Sequence, residues 1–167
     1  MRVFLIAAIT ADGFIGRTSG HTADWTSSED KKLFVKLTKE AGTLIFGSTT
    51  FKTVGHALPG RRMIVLTSKP DEYDAEDVVF TSESPAELLK RLEDEGTEAV
   101  AIGGGGKVYH EFMAAGLVQE LYLTVEPVVF GQGVSLFAGE LDTKLELLEA
   151  TALNDNVILL HYKVAVS

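Results

Sequence analysis

Cysteine is absent from the 167 residues of the chain. Its absence excludes disulfide bridges, thiolate metal sites and cysteine nucleophiles, and it favours a reducing compartment, for which we expect the cytoplasm. No apolar run approaches the ~20 residues that a membrane-spanning helix needs, so we expect no membrane partner. The apolar run at residues 3–9 is short and passes directly into an Asp-Gly turn, which indicates a buried first strand rather than a signal sequence.

Basic residues are also scarce relative to acidic ones. Fifteen Lys and Arg stand against 24 Asp and Glu, which gives a formal net charge of −9. The basic residues are scattered along the chain, and we therefore expect no nucleic-acid partner. The four histidines show no metal-ligand spacing, and no G-x-S-x-G motif is present. The sequence therefore predicts neither a metal site nor a covalent nucleophile.

Apolar runs alternate with helical patterns up to Gly116. The predicted strands are 3–9, 43–46, 61–67, 77–80 and 98–102, and the predicted helices are 28–40, 49–54, 84–96 and 107–116. This alternation is typical of a mostly parallel sheet with crossover helices. After Gly116 the segments 119–130, 144–151 and 157–166 are interpreted as strands, and the turn-forming residues 154–156 favour an antiparallel hairpin between the last two. We predict one α/β domain over residues 1–167, with an antiparallel C-terminal edge.

Asp30 lies on the apolar face of the first predicted helix. At about 100° per residue, Leu33, Phe34, Leu37 and Ala41 fall within one arc, and Asp30 points into the middle of it. Carboxylates are among the residues least often buried, so this position indicates a functional acid, whose pKa burial would raise. The alternative is a capping box, in which Ser27 caps the helix and Asp30 bonds back to it. The pattern alone leaves both interpretations open.

Two glycine-containing turns connect a predicted strand to a predicted helix. "AIGGGGKVY" (101–109) offers free helix N–H groups to a phosphate, with Lys107 as a nearby countercharge. Val108 stands where a P-loop needs Ser or Thr and where a dinucleotide fingerprint needs Gly. "IFGSTTF" (45–51) has the same strand-to-turn-to-helix arrangement, although its hydroxyl residues are alternatively plain helix caps. Ligands of parallel sheets gather at the carboxyl ends of strands, which favours a shared site.

Residues 3–126 together resemble dihydrofolate reductase. The motifs that carry the resemblance are "IAAITADGFIG" (6–16), Trp25 followed by Asp30, Phe34 with Thr38, "FGSTTF" (46–51), "LPGRRMIVLTS" (58–68), "IGGGGKVY" (102–109) and "LYLT" (121–124). The later segment 114–137 resembles the reductase domain of bifunctional riboflavin-biosynthesis enzymes, which has the same fold and reduces a ribosylated aminopyrimidine with NADPH. The resemblance implies a dihydrofolate-reductase-like fold with about eight strands and about four flanking helices.

The resemblance implies reduction of 7,8-dihydrofolate to tetrahydrofolate with NADPH, a step of one-carbon metabolism, with Asp30 as the catalytic acid. The implied substrate-binding residues are Ile6, Ala8, Trp25, Phe34, Thr38, Val54, Leu58, Arg61 and Thr124, with Arg61 pairing with the carboxylate of the glutamate tail. The implied cofactor-binding residues are Ala8, Ile15, Gly47, Ser48, Thr49, Thr50, Leu66, Thr67, Ser68, Lys69, Ile102, Gly104, Gly105, Gly106, Lys107, Val108 and Tyr109. The family's cis peptide bond is expected between Gly104 and Gly105.

Three positions depart from the dihydrofolate reductase pattern. Ser48 replaces the Arg that usually binds the 2′-phosphate of NADPH, so Lys69 is the candidate for that charge. The glycine run is one residue longer than usual, and Ser28 replaces the usual Pro ahead of Asp30. Two other functions therefore remain open, an NADPH-dependent riboflavin-precursor reductase and a nucleotide-binding module without catalysis. The glycine-containing loop 11–25 has the composition of a lid, and the chain is expected to be a monomer or a homodimer.

Overall fold

Strands and helices alternate over most of the computed structural model, which describes residues 1–166. The strands are β1 (Arg2–Thr10), β2 (Phe14–Gly16), β3 (Thr43–Gly47), β4 (Arg62–Leu66), β5 (Val78–Thr81), β6 (Ala99–Ile102), β7 (Glu120–Glu126), β8 (Val134–Ser135), β9 (Leu145–Ala152) and β10 (Ile158–Val164). The helices are α1 (Ser28–Ala41), α2 (Ser48–Val54), α3 (Pro85–Asp94) and α4 (Gly106–Ala114), with a 3₁₀ turn at Pro70–Glu72.

The central sheet has eight strands in the order β5-β4-β3-β6-β1-β7-β10-β9. The pairs from β5 to β7 are parallel, whereas β10 pairs antiparallel with both β7 and β9. The predicted dihydrofolate-reductase-like α/β fold, mostly parallel with an antiparallel C-terminal edge and four helices, is confirmed.

One predicted strand was too long, and one strand pairing was not predicted. The strand predicted over 119–130 ends at Glu126, where Pro127 has no N–H for a further ladder bond. The pairing of β2 with β8 was not predicted, because strands of three and two residues are too short to show alternation. This small second sheet joins the N-terminal loop to the loop after β7.

Each face of the sheet packs against its own hydrophobic core. Alternate side chains of β1 point to opposite faces, so that Val3 and Leu5 join the core under α3 and α4, and Phe4 and Ile6 join the core with α1. Burial on both faces is typical of the strands of parallel sheets. It holds the strands in place, and with them the edge of the sheet at which their carboxyl ends lie. Among the described residues, no helix is both long and apolar enough to cross a membrane.

Candidate active site

A cavity of about 1120 Å³ opens at the carboxyl ends of the parallel strands. Predicted substrate-site residues on its wall are Ile6, Ala8, Trp25, Asp30, Phe34, Val54, Leu58 and Arg61. Predicted cofactor-site residues on its wall are Ile15, Gly47, Ser48, Thr49, Thr50, Leu66, Thr67, Ser68, Gly104, Gly105, Gly106, Lys107, Val108 and Tyr109. The fold thus brings both predicted sets into one cleft, at the location where parallel-sheet proteins bind ligands.

Four predicted site residues do not line this cavity. Thr38 and Thr124 are buried behind its wall and support residues that do line it, as described below. Ile102 is part of the hydrophobic core. Lys69 is exposed, and its Nζ lies 3.8 Å from a carboxylate oxygen of Glu72. Lys69, the cation expected to replace the missing Arg at position 48, therefore lies near a carboxylate of its own chain.

The N-terminus of α1 shows what Asp30 does for the helix. Ser27 is the N-cap, and its Oγ accepts a hydrogen bond from the backbone N–H of Asp30 at 3.1 Å. In a capping box the Asp30 carboxylate would accept the backbone N–H of Ser27. That N–H instead donates to Oε1 of Glu126, at 2.8 Å. Ser27 therefore caps the helix as predicted, through the backbone N–H of Asp30. The carboxyl group of Asp30 does not accept the returning hydrogen bond of a capping box, because Glu126 accepts it.

The carboxyl group of Asp30 is buried, with the residue 8% exposed. Burial raises its pKa from the ordinary value of 3.8 to about 6, and the negative charge of Glu126 contributes in the same direction. A hydrogen bond with the side chain of Thr124 and the nearby charge of Lys31 act in the opposite direction. This agrees with the expectation from the sequence and gives a carboxyl group that titrates close to neutral pH.

Arg61 stands on the turn before β4. Its Nη1 donates to Oγ1 of Thr38 at 3.1 Å, and its Nε and Nη2 donate to the carbonyl oxygen of Pro59. In the part of the chain that the structure describes, Arg61 has no carboxylate partner, whereas the adjacent Arg62 lies 2.7 Å from Glu95. Arg61 is thus held in place on the cavity wall and available for an acidic group of a ligand.

The two helices that begin at the glycine turns have no side-chain caps. The N-cap residues of α2 and α4 are Gly47 and Gly105, and neither contributes a capping hydrogen bond. The first N–H groups of a helix have no partner within it, and the helix dipole favours a negative charge there. Both helices begin at the cavity wall. This pair of N-termini fits the phosphate groups of a dinucleotide.

The glycine run after β6 is closely packed against β3. A Cβ on Gly103 would lie 2.5 Å from Cε1 of Phe46, and Gly104 has a φ of +127°, which side-chain-bearing residues rarely adopt. The predicted cis bond between Gly104 and Gly105 is present. The carbonyl oxygen of Gly104 accepts the N–H of Gly47 at 2.7 Å and so joins the two turns. The fourth glycine, Gly106, is the first residue of α4.

The loop after β1 is anchored to the loop after β7. The Asp12 carboxylate accepts hydrogen bonds from the Thr10 hydroxyl and from the N–H groups of Phe130 and Gly131. These bonds, led by that of Thr10, hold the pKa of Asp12 below its usual range. The Trp25 ring packs edge-on against Phe130 with 5.2 Å between ring centroids. The predicted lid therefore lies across one side of the cavity and is fixed at both ends.

Two segments of the cavity wall were missed in the sequence. Residues 81–85 border it where β5 leads into α3, and residues 134–138 lie against the glycine run. The first could have been found, because a strand followed by the Ser84-Pro85 helix start has the same arrangement as the two glycine turns. Glu126 was also missed, although an acid within an apolar strand was a usable signal. Within residues 1–166, no cluster of side chains suited to a metal ion occurs.

Comparison with protein families shows which family this chain belongs to. The sequence model of the RibD C-terminal domain matches residues 2–159. The chain belongs to the RibD C-terminal domain family. Because this single match spans both parts of the chain, the division into a dihydrofolate-reductase-like front and a riboflavin-reductase-like final third is not supported.

This chain is also similar in sequence to dihydrofolate reductases. It is 33% identical over 124 residues to dihydrofolate reductase type 3 of Salmonella typhimurium, covering 74% of this chain and 71% of that protein. A relative that matches nearly the whole chain is YwjB of Bacillus subtilis. The two are 29% identical over 170 residues, which cover 96% of this chain and 97% of YwjB.

Among solved structures, the chain is similar to dihydrofolate reductase from Enterococcus faecalis in complex with NADP(H) and the compound RAB-propyl. The TM-score is 0.78 at 29% identity, and the alignment covers 98% of this chain and 96% of the other. The present RibD-family chain is therefore an oxidoreductase of the superfamily that contains the dihydrofolate reductases and the RibD reductases.

Proposed function

We propose that this protein is an NADPH-dependent reductase of 7,8-dihydrofolate, which it converts to tetrahydrofolate. The observation that carries the proposal is the placement of charge in the cleft. The buried carboxyl group of Asp30, which takes no part in the helix cap, lies at one end, and the guanidinium of Arg61, which has no carboxylate partner among residues 1–166, lies at the other. Thr38, which holds Arg61, lies eight residues after Asp30 on α1. At 1.5 Å per residue this is about 12 Å along the helix.

The wall between these two charges is apolar and aromatic. Phe34 and Phe46 stack in parallel with 6.4 Å between ring centroids, and Val54 and Leu58 face the same cleft. Such a surface suits flat rings, namely the pterin and the benzoyl group of a folate. Asp30 would then bind the amide and amino group of the pterin, and Arg61 the carboxylate of the glutamate tail.

The cofactor half of the cleft fits a dinucleotide phosphate. Two helix N-termini without side-chain caps supply N–H donors for a pyrophosphate, and the glycine run before α4 has no side chains that would cover them. When bound, NADPH supplies the hydride for reduction. The protein itself aligns the two ligands and excludes bulk solvent with the anchored loop. Asp30 favours the protonated pterin, and one water molecule retained in the site delivers the proton to N5.

The direct test is loss of NADPH absorbance with purified protein and dihydrofolate, beside the same assay with a ribosylated aminopyrimidine phosphate. We expect turnover with dihydrofolate. The aminopyrimidine is the second candidate, because the family match over residues 2–159 is to a RibD reductase domain. Turnover of that substrate alone would replace our proposal. NADPH binding without turnover of either would indicate a nucleotide-binding module.

Arg61 provides a second test of the substrate. We expect Arg61→Ala to raise the KM for dihydrofolate about 10- to 100-fold with a smaller change in kcat, because a charge-assisted contact with the tail contributes about 1.5–3 kcal/mol. Steady-state kinetics measures this. Arg62→Ala is the matched control, since Arg62 is exposed and paired with Glu95, and it should leave KM unchanged. Equal effects of the two substitutions would argue against a carboxylate-binding role for Arg61.

Position 48 provides a test of the preference for NADPH over NADH. Its side chain contacts the Tyr73 hydroxyl, which also contacts Lys52, and no Arg stands at this position. We expect Ser48→Arg to raise the ratio of kcat/KM for NADPH over NADH about 10-fold, because a guanidinium would pair with the 2′-phosphate. Lys69→Ala should lower the same ratio. An unchanged ratio in both variants would place recognition of the 2′-phosphate elsewhere.

A further inference from the structure

Glu126 is a buried acid that the proposed reaction does not use. It is the last residue of β7, and it is 2% exposed. Its Oε1 accepts hydrogen bonds from both the backbone N–H and the Oγ–H of Ser27, each at 2.8 Å. No Lys or Arg pairs with it within residues 1–166. A buried carboxylate without a cationic partner is costly, which calls for a reason beyond packing.

The position of Glu126 connects it to Asp30 by two routes. Ser27, which Glu126 holds, is the cap that accepts the backbone N–H of Asp30. Thr124, two residues earlier on β7 and on the same face of the strand, contacts the carboxyl group of Asp30. The end of β7 therefore fixes both the backbone and the side chain of Asp30.

We propose that Glu126 is a positioning residue for Asp30: it fixes the start of α1 through Ser27, and it places a second carboxyl group beside the site of Asp30. The proposal builds on the function proposed above, in which Asp30 binds the pterin. Oε1 of Glu126 accepts both hydrogen bonds from Ser27, which fixes the position of this carboxyl group. Both acids contact Ser27, and a negative charge on Glu126 opposes ionisation of Asp30.

The other groups around Asp30 do not oppose its ionisation by a negative charge. On α1, Lys31 acts in the opposite direction and favours ionisation. On α4, the hydroxyl of Tyr109 donates to the carbonyl oxygen of Ile6 on β1, and burial raises its pKa, so it stays neutral. The loop contributes His21, whose ring lies 3.4 Å from a carboxylate of the same loop. Among these groups, Glu126 is the one whose negative charge acts on Asp30.

The test compares Glu126→Gln, which keeps an oxygen acceptor for Ser27 and removes the charge, with Glu126→Leu, which removes both. Protein with ¹³C-labelled aspartate carboxyl groups is titrated by NMR, and the Asp30 signal is identified by its absence in Asp30→Asn. We expect Glu126→Gln to lower the titration midpoint of Asp30 by about one pH unit. Glu120→Gln, on the same strand but paired with Arg2, is the matched control and should leave the midpoint unchanged.

Kinetics separates the two parts of the proposal. Glu126→Gln should retain a KM for dihydrofolate near that of the unmodified protein, whereas Glu126→Leu should raise it about 10-fold through loss of the Ser27 contact. An unchanged midpoint in Glu126→Gln overturns the proposal, even if Glu126→Leu fails to fold. The titration needs no turnover. Failure of the proposed function, seen as no turnover of dihydrofolate by the unmodified protein, is therefore distinguishable from failure of this inference.

Discussion

Asp30→Asn is expected to abolish reductase turnover and, at the same time, to stabilise the folded protein at neutral pH. Turnover should fall at least about 100-fold in kcat/KM, because general acid–base and charge contributions of a positioned carboxyl group are typically of this size or larger. NADPH oxidation with dihydrofolate measures the loss. NADPH affinity should change little, since the cofactor half of the cleft is built from other elements.

The gain in stability follows from the raised pKa of Asp30. Burial, the largest cause, brings this pKa to about 6 in the folded protein, against 3.8 ordinarily. The folded state therefore binds this proton more tightly than the unfolded state, and ionised Asp30 opposes folding. Above pH 6 the cost approaches about 3 kcal/mol; it shrinks as the pH falls through 6 and disappears below about pH 4. Asn carries no such cost at any pH.

Denaturant unfolding of Asp30→Asn and the unmodified protein at several pH values measures this difference. Glu29→Gln is the matched control, because Glu29 is also in the first turn of α1 but its carboxylate is in solvent. It should leave turnover unchanged and, through loss of the helix-dipole interaction, slightly weaken the fold. If instead Asp30→Asn weakened the fold at neutral pH and retained turnover, Asp30 would be a structural helix residue.

The position of Asp30 could be predicted from the sequence because it depends on local periodicity. The apolar residues of α1 define the buried face, and Asp30 lies on it regardless of the partners of that face. The partner of its cap could not be predicted. Ser27 and Glu126 are 99 residues apart and meet only because β7 lies beside β1 in the sheet. The local alternative, a capping box, used the acid three residues after the cap, and it was right for the backbone of Asp30 but not for its carboxyl group.

The cofactor half of the cleft shows the same limit. The two glycine turns could be predicted to lie at one edge of the sheet, because each follows a buried strand of a parallel sheet. That they are direct neighbours depends on the pairing of β3 with β6, which the sequence did not predict. The contact of residues 134–138 with the glycine run could not be predicted, since these residues lie in the loop between β7 and β9 and are held by the short pairing of β8 with β2. A two-residue strand carries no periodicity, so its contacts depend entirely on tertiary structure.

Gly103→Ala is expected to weaken the fold by about 2–3 kcal/mol and to lower NADPH affinity. The added Cβ would lie 2.5 Å from Cε1 of Phe46 and 2.9 Å from Cδ1 of Leu44, and both of these side chains are buried in β3. Leu44 is enclosed in the core and the ring of Phe46 is stacked against Phe34, so we expect β3 and β6 to separate. Overpacking of this kind typically costs 1–3 kcal/mol. Separation of the strands would also displace the start of α2 from the glycine run, whose contact is the bond between Gly47 and Gly104.

Unfolding in denaturant and NADPH titration measure the two effects of Gly103→Ala. Gly20→Ala is the matched control, because nothing lies within 4 Å of its added Cβ and its backbone needs no positive φ. It should change neither property. The double variant Gly103→Ala/Phe46→Leu should recover part of the lost stability, since removing ring atoms makes room for the new methyl group, and this non-additivity would locate the clash. A Gly103→Ala protein within about 0.5 kcal/mol of the unmodified protein would show that β3 and β6 adapt to the methyl group, and the glycine run would then not be needed for close packing against β3.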